Sequence, residues 1–273
     1  MQELTLKELQ QVSFDILKDV HSFCQANHIY YSLAYGTLIG ALRHKGFIPW
    51  DDDVDIVMPR PDFERFCRTY HSDHGMRLIY YGNDKSALAT FARVCECEKT
   101  DYQTERPWTI QKSGVWIDIF PLDGVANQEE YSRRYKQLKC ISQIVYKFRR
   151  QNHHIKVSDS LWSKSKTIIA NIIGLGGVLP ALLLKQIVSM MTKYNYDECE
   201  NYGQMSCLDD GPIIFSKDDF KNTVLLDFED TKLCAMNGYD KVLRQVYGDY
   251  MQLPPEDKRA PKQYWIHFLW KKS

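Results

Sequence analysis

The sequence predicts a mixed α/β fold of the α+β kind: a mixed sheet flanked by helices, with an added, mostly helical C-terminal part. Three observations carry this. An amphipathic helical pattern opens the chain, two short runs at Asp53–Met58 and Val115–Phe120 alternate at strand period, and the pattern turns helical from Gln128.

The elements follow in order. Thr5-Leu6-Lys7-Glu8 has the form of a capping box. Leu9, Val12, Ile16, Val20 and Phe23 come after it at helical spacing, so residues 5–27 read as an amphipathic helix. Residues 30–35 read as a short strand ending at Gly36, and a helix is expected from Thr37 to Gly46. Pro49 and Trp50 lead into the acidic strand, and Pro59 and Pro61 end it. Pro61 suits the first turn of a helix whose buried stripe is Phe63, Phe66, Cys67 and Tyr70. Residues 76–81 and 87–97 read as strands. Ser113–Phe120 is another, and Pro121-Leu122-Asp123-Gly124 is expected to turn the chain. Ile168–Leu184 is strongly apolar between Lys166 and Lys185. It is short for a membrane span, contains Asn171, and is interrupted by Gly174, Gly176, Gly177 and Pro180. A buried helical hairpin is expected there, with contact to a membrane surface as its rival. The tail from Val224 returns to mixed structure. The division expected is 1–125, a catalytic core with its N-terminal helix, and 126–273, a helical insert and C-terminal substrate-binding part packed on that core.

The 35 Lys and Arg balance 35 Asp and Glu, so no global field draws in nucleic acid. Leu4–Asp19 is charged throughout and lacks the apolar centre of a secretory signal, which favours the cytoplasm. Eight cysteines then read as reduced, small apolar side chains. Cys95 and Cys97 would share a strand face, and Cys67, His71 and His74 a helix face. These are zinc-ligand types, but the spacing matches no finger pattern, so core cysteines and surface histidines are expected.

The chemistry concentrates between Tyr35 and Arg60. Side chains alternate along a strand, so Asp53 and Asp55 point the same way, about 7 Å apart by backbone rise. An isolated acidic run is usually a solvated loop. Here it runs into apolar strand, a small-residue turn at Gly36-Thr37 lies upstream, and Asp118 sits in a second apolar strand where an unpaired carboxylate is costly. A helix starting after Gly36 would aim free N–H groups at an anion, and Gly36 would let the backbone approach it. Asp53 and Asp55 would hold one or two Mg²⁺ ions against the same phosphate. Asp118 would complete the metal site or accept a proton. Arg43, Lys45 and Arg93 are candidates to neutralise phosphate charge, each against the reading of a plain surface cation. Trp50 would stack on a base or fill the core. Tyr247 and Asp249 would contact a sugar or make a turn, which Gly248 supports.

Gly36-Thr37, Asp53-Val54-Asp55 and Asp118 resemble the motif of the nucleotidyltransferase-fold superfamily, with Thr37 in a place usually held by Gly or Ser. More closely, YGTLIGALRHKGFIPWDDDVDI, GVWIDIFPLDG and the tail pieces Phe228-Glu229, Tyr247-Gly248-Asp249-Tyr250 and Pro254-Pro255 resemble the LicD family of phosphorylcholine transferases, relatives of fukutin and fukutin-related protein. The likeness is strong over residues 20–125 and looser over 225–262. It implies transfer of phosphocholine from CDP-choline to a sugar hydroxyl of a teichoic acid precursor or lipopolysaccharide. It implies Mg²⁺ or Mn²⁺ on Asp53, Asp55 and Asp118, with Asp51 in reach if the strand extends that far. Asp118 is its candidate base, and Glu229 joins the substrate-binding set. A lipid-linked or polymeric glycan would be the acceptor, at the inner face of the cytoplasmic membrane. The alternatives are nucleotidyl transfer, a glycosyltransferase holding its metal on Asp-x-Asp, and an inactive binding protein. The glycosyltransferase expects repeated βαβ units ahead of the motif, and too few residues precede it here.

Overall fold

The computed structural model of the protein describes residues 1–84, 87, 89–104, 113–151, 175–206, 211–261 and 266–272. After strand β1 (Gln2–Glu3), the Thr5–Glu8 capping box starts helix α1 (Leu6–Ala26). Of the expected stripe, Ile16, Val20 and Phe23 are buried and Leu9 and Val12 partly so, while Phe14, Leu17 and Cys24 join them. β2 (Ser32–Leu33) is shorter than the expected strand, and α2 (Tyr35–His44) starts two residues earlier than expected. Gly36 therefore lies inside the first helical turn rather than before it. Lys45 closes α2 in the left-handed region, φ 59°.

β3 (Asp55–Pro59) begins at Asp55. Residues 51–54 are irregular, so Asp53 is not a strand residue and the two-residue strand spacing does not describe the Asp53–Asp55 pair. α3 (Arg60–Thr69) has Pro61 in its first turn and buries Phe63, Phe66 and Cys67. Because α3 stops at Thr69, His71 and His74 lie beyond it and share no helix face with Cys67. His71 instead meets Phe23 edge-on at 5.4 Å. The seven described cysteines are free, and Cys24, Cys67, Cys95 and Cys234 are buried. Burial pushes the Cys67 thiol up to about 12.

Strands β4 (Met76–Ile79), β5 (Ala92–Glu96), β6 (Thr100–Thr104) and β7 (Val115–Val125) follow. β7 does not turn at Pro121-Leu122-Asp123-Gly124; it continues through that tetrapeptide. Two partners hold it there: β3 runs parallel alongside as far as Leu122, and β8 (Asn201–Gly203) pairs with Asp123–Val125. Asp123 is fully buried and accepts two bonds from Arg60, Nε at 2.7 Å and Nη2 at 3.0 Å, joining β7 to the start of α3.

The sheet order is β2-β3-β7-β5-β4, and β9 (Ile214–Ser216) joins through β8. Among the described strands only β3 and β7 pair in parallel, so the sheet is mixed rather than doubly wound. Helix α4 (Gln128–Gln151) packs with α5 (Leu175–Met191) on a second small core that includes Tyr131, Leu138, Ile187 and Met191. Buried Arg134 joins them, donating to Met190 O and Gly124 O at 3.1 Å. The expected hairpin over 168–184 falls partly outside the described residues; 175–184 belong to the single helix α5. Among the described residues no helix is long and apolar enough to cross a membrane.

The C-terminal part holds more strand than expected. The hairpin β10 (Thr223–Phe228) and β11 (Thr231–Met236) is followed by α6 (Tyr239–Tyr247) and β12 (Ile266–Trp270). β12 lies between β1 and β6 in a second sheet. Phe228, Leu233, Met236, Leu243 and Phe268 enter the same main core as Ile56 and Ile117.

Candidate active site

The acids sit where β3 begins, and neighbouring elements fix them. Ala34 N–H donates to Asp55 O at 3.0 Å, and Val54 O accepts from Asp118 N–H at 2.9 Å. Buried Thr37 accepts the Asp55 N–H at 2.9 Å through Oγ1. From α1, Gln10 Nε2 donates to Asp51 O at 2.8 Å. Tyr35 takes a φ of 47°, unusual for a residue with a side chain, where the chain passes from β2 into α2. Gly36 follows, so close to the acid loop that a β-carbon on it would lie 2.5 Å from Asp51 Oδ2.

Two groupings result. Asp51, Asp52 and Asp53 each bring a carboxylate oxygen within 4.8 Å of the others, with Asp51 and Asp52 buried. The second is a row across the sheet. Asp55 pairs in register with Asp118, and Asp118 with Arg93, so the three side chains share one face of β3, β7 and β5. Arg93 Nε donates to Asp118 Oδ1 at 2.7 Å. Its guanidinium lies over Trp116, 4.3 Å from the ring centroid. Tyr35 packs on Phe120 of the same face, which brings the first turn of α2 over it.

A cleft of about 470 Å³ opens at Asp51. One wall is Gly36, Arg43, Trp50 and Asp51; the other is Tyr247, Asp249, Pro254 and Lys258 from the C-terminal segment. Six sequence-predicted residues, Gly36, Arg43, Trp50, Asp51, Tyr247 and Asp249, thus meet around one space although some 200 residues separate the walls. Lys258 was not foreseen; nothing in its local pattern distinguishes it from a surface lysine.

The remaining expected residues take other places. Asp53, Asp55 and Asp118 do not form the compact set: Asp52 takes a place in it, and Asp118 turns to Arg93. The Thr37 hydroxyl holds the start of β3 and does not line the cleft. Glu229 accepts the Phe47 N–H at 3.1 Å, and its own N–H donates to Lys45 O at 2.7 Å, so it fastens the hairpin to the turn after α2. Lys45 caps α2 within that fastening. Arg43 is spent on structure, donating to Tyr250 O at 2.9 Å, Gln252 O at 3.3 Å and His44 Nε2 at 3.0 Å. Trp50 lines the cleft edge with the Arg259 guanidinium 5.6 Å from its ring.

Comparison with known proteins bears on this arrangement. The family model described as LicD/FKTN/FKRP, nucleotidyltransferase domain, matches residues 28–156, the stretch that carries the acids and the sheet row. The chain is 33% identical to the lipopolysaccharide cholinephosphotransferase LicD of Haemophilus influenzae, over 96% of this chain and 97% of that protein. The chain belongs to the LicD family. Two uncharacterised proteins, from Rickettsia prowazekii and Rickettsia typhi, are 45% identical to it over 49 residues, 18% of this chain and 18% and 16% of theirs. In LicD terms, the Haemophilus match runs through both cleft walls, whereas the domain match stops before the C-terminal one.

Proposed function

We propose that this LicD-family protein transfers phosphocholine from CDP-choline to a sugar hydroxyl of a cell-envelope glycan, a lipopolysaccharide or a teichoic acid precursor. The observation that carries the reading is a carboxylate group at the head of a cleft, in a chain similar end to end to a cholinephosphotransferase. Three carboxylates with oxygens within 4.8 Å repel one another, and two of these residues are buried. An oxygen-only donor set of this kind fits Mg²⁺ or Mn²⁺. Asp51, Asp52 and Asp53 would hold the ion, with Asp55 the next acid along the chain. When bound, it supplies neutralisation of the diphosphate charge.

The protein's own residues bind and orient. Trp50 offers a ring edge at the cleft for the cytosine. Tyr247 and Asp249 stand on the opposite wall, both exposed, where a sugar would enter. The glycan hydroxyl oxygen forms a bond to the phosphorus that carries choline. The bond from that phosphorus to the bridging oxygen breaks, CMP leaves with the oxygen, and the hydroxyl proton passes to a cleft carboxylate. Holding hydroxyl and diphosphate in line supplies much of the acceleration. Tyr247, Met251 and Leu253 are 45%, 48% and 45% exposed at or beside the rim, which suits a lipid-linked acceptor at the inner membrane surface.

Purified protein given CDP-choline and acceptor glycan should release CMP and add one phosphocholine mass to the glycan. EDTA should stop both, and Mg²⁺ or Mn²⁺ should restore them. Pyrophosphate release from CTP and phosphocholine would instead support nucleotidyl transfer, and no CMP release under any metal would end the proposal.

A further inference from the structure

Three cations were expected near the phosphate, and their fates differ. Arg43 is committed to the backbone of residues 250 and 252. Lys45 lies in the turn that Glu229 fastens, near Asp227. Arg93 alone stands in the row with Asp118 and Asp55. Only its Nε is used, on Asp118 Oδ1; neither Nη has a hydrogen-bond partner among the described residues, and the side chain is 23% exposed. Its flat face is held over Trp116 at 4.3 Å, and Phe91 lies 5.4 Å away. A guanidinium fixed through Nε and one face presents its two terminal amino groups as a ready fork for a phosphate. Little side-chain freedom remains to be lost when the anion arrives.

We propose that Arg93 is the residue that grips the donor's diphosphate beyond the Asp51–Asp53 group, and that Asp118 and Trp116 are its positioning residues. The inference rests on the diphosphate-donor reading above. It gives Asp118 a role the family resemblance does not: partner of the guanidinium rather than metal ligand or base. The row also explains why Asp118 sits in an otherwise apolar strand, since its charge is met by Arg93.

Magnesium pyrophosphate binding, measured by calorimetry, tests this without any need for turnover. Arg93→Met and Arg93→Lys both keep the stem over Trp116. Each should weaken pyrophosphate at least tenfold, lysine included, because a single ammonium cannot form the fork. Asp118→Asn should weaken it in the same direction, and Asp118→Asn with Arg93→Met should be no weaker than Arg93→Met alone. Mn²⁺ affinity, measured without substrate, should stay within twofold in Asp118→Asn and fall at least tenfold in Asp53→Asn. Unchanged pyrophosphate binding in folded Arg93→Met would overturn the proposal, as would loss of Mn²⁺ in Asp118→Asn equal to that in Asp53→Asn. If pyrophosphate depends on Arg93 while CDP-choline yields no CMP, the donor reading fails and the diphosphate grip stands. If CMP is released and Arg93→Met leaves the KM for donor unchanged, the grip fails and the reaction stands.

Discussion

At Gly36 a single hydrogen separates the first turn of α2 from the Asp51 carboxylate. A methyl there must displace Oδ2, because the two would meet at 2.5 Å, and the shift moves the Asp51 carboxylate away from its neighbours in the acid group. Gly36→Ala should therefore lower Mn²⁺ affinity at least tenfold, while the melting temperature moves by about 4 °C or less, the equivalent of about 1 kcal/mol in a chain of this size. A melting curve that collapses with unchanged Mn²⁺ affinity would show that the glycine serves packing alone. Asp53→Ala should cost about a hundredfold or more in transfer rate, since it removes a main source of charge stabilisation, with secondary structure unchanged by circular dichroism. These residues were legible because Gly, acid-x-acid and a strand acid form an unusual string. The fastening made by Glu229 leaves no local pattern, because its bonds to Phe47 and Lys45 span some 180 residues.

Elements meet at two polar contacts, one buried and one partly buried, that periodicity could not disclose. The first is Arg60–Asp123, with neither side chain more than 8% exposed. Removing one partner strands the other charge, so Arg60→Met should cost about 3–5 kcal/mol in urea unfolding. Arg60→Met with Asp123→Leu should recover most of that loss, because both desolvation penalties vanish together. The second is His21 on α1, whose Nδ1 lies 2.7 Å from the hydroxyl of fully buried Tyr31. Burial holds His21 below its ordinary value of 6.5. The unfolded chain therefore takes up this proton first, so the stability His21 contributes is present above 6.5 and lost as pH falls below it. Melting measured from pH 7.5 to 5 should show that decline, and His21→Gln should flatten it. The helices were readable from caps and stripes. Pro-Leu-Asp-Gly carries turn residues, so the local sequence favours ending β7 there, and the flanking strands β3 and β8 override that preference.

Across the whole molecule, the last strand stitches the first, since β12 is hydrogen-bonded on one side to β1 and on the other to β6. Deleting residues 266–273 removes buried Phe268 and Leu269 and bares two strand edges. Burial of those two side chains is worth about 3–6 kcal/mol, so the shortened protein should melt about 6 °C or more lower. A melting temperature within 3 °C of the full chain would mean that this sheet contributes little to global stability. Such closure was invisible in the sequence, because strand pairing over more than 260 residues has no short-range signature. The cleft owes its shape to a similar long reach. Arg43 belongs to the helix that carries Gly36, and it grips the carbonyls of Tyr250 and Gln252 on the facing wall. One side chain thus acts as a caliper, setting the gape between the jaws from a position that does no chemistry. Loosening it with a shorter residue would let the two walls part while the acids stay where they are, so the fit of the cleft can drift among relatives that keep the same carboxylates.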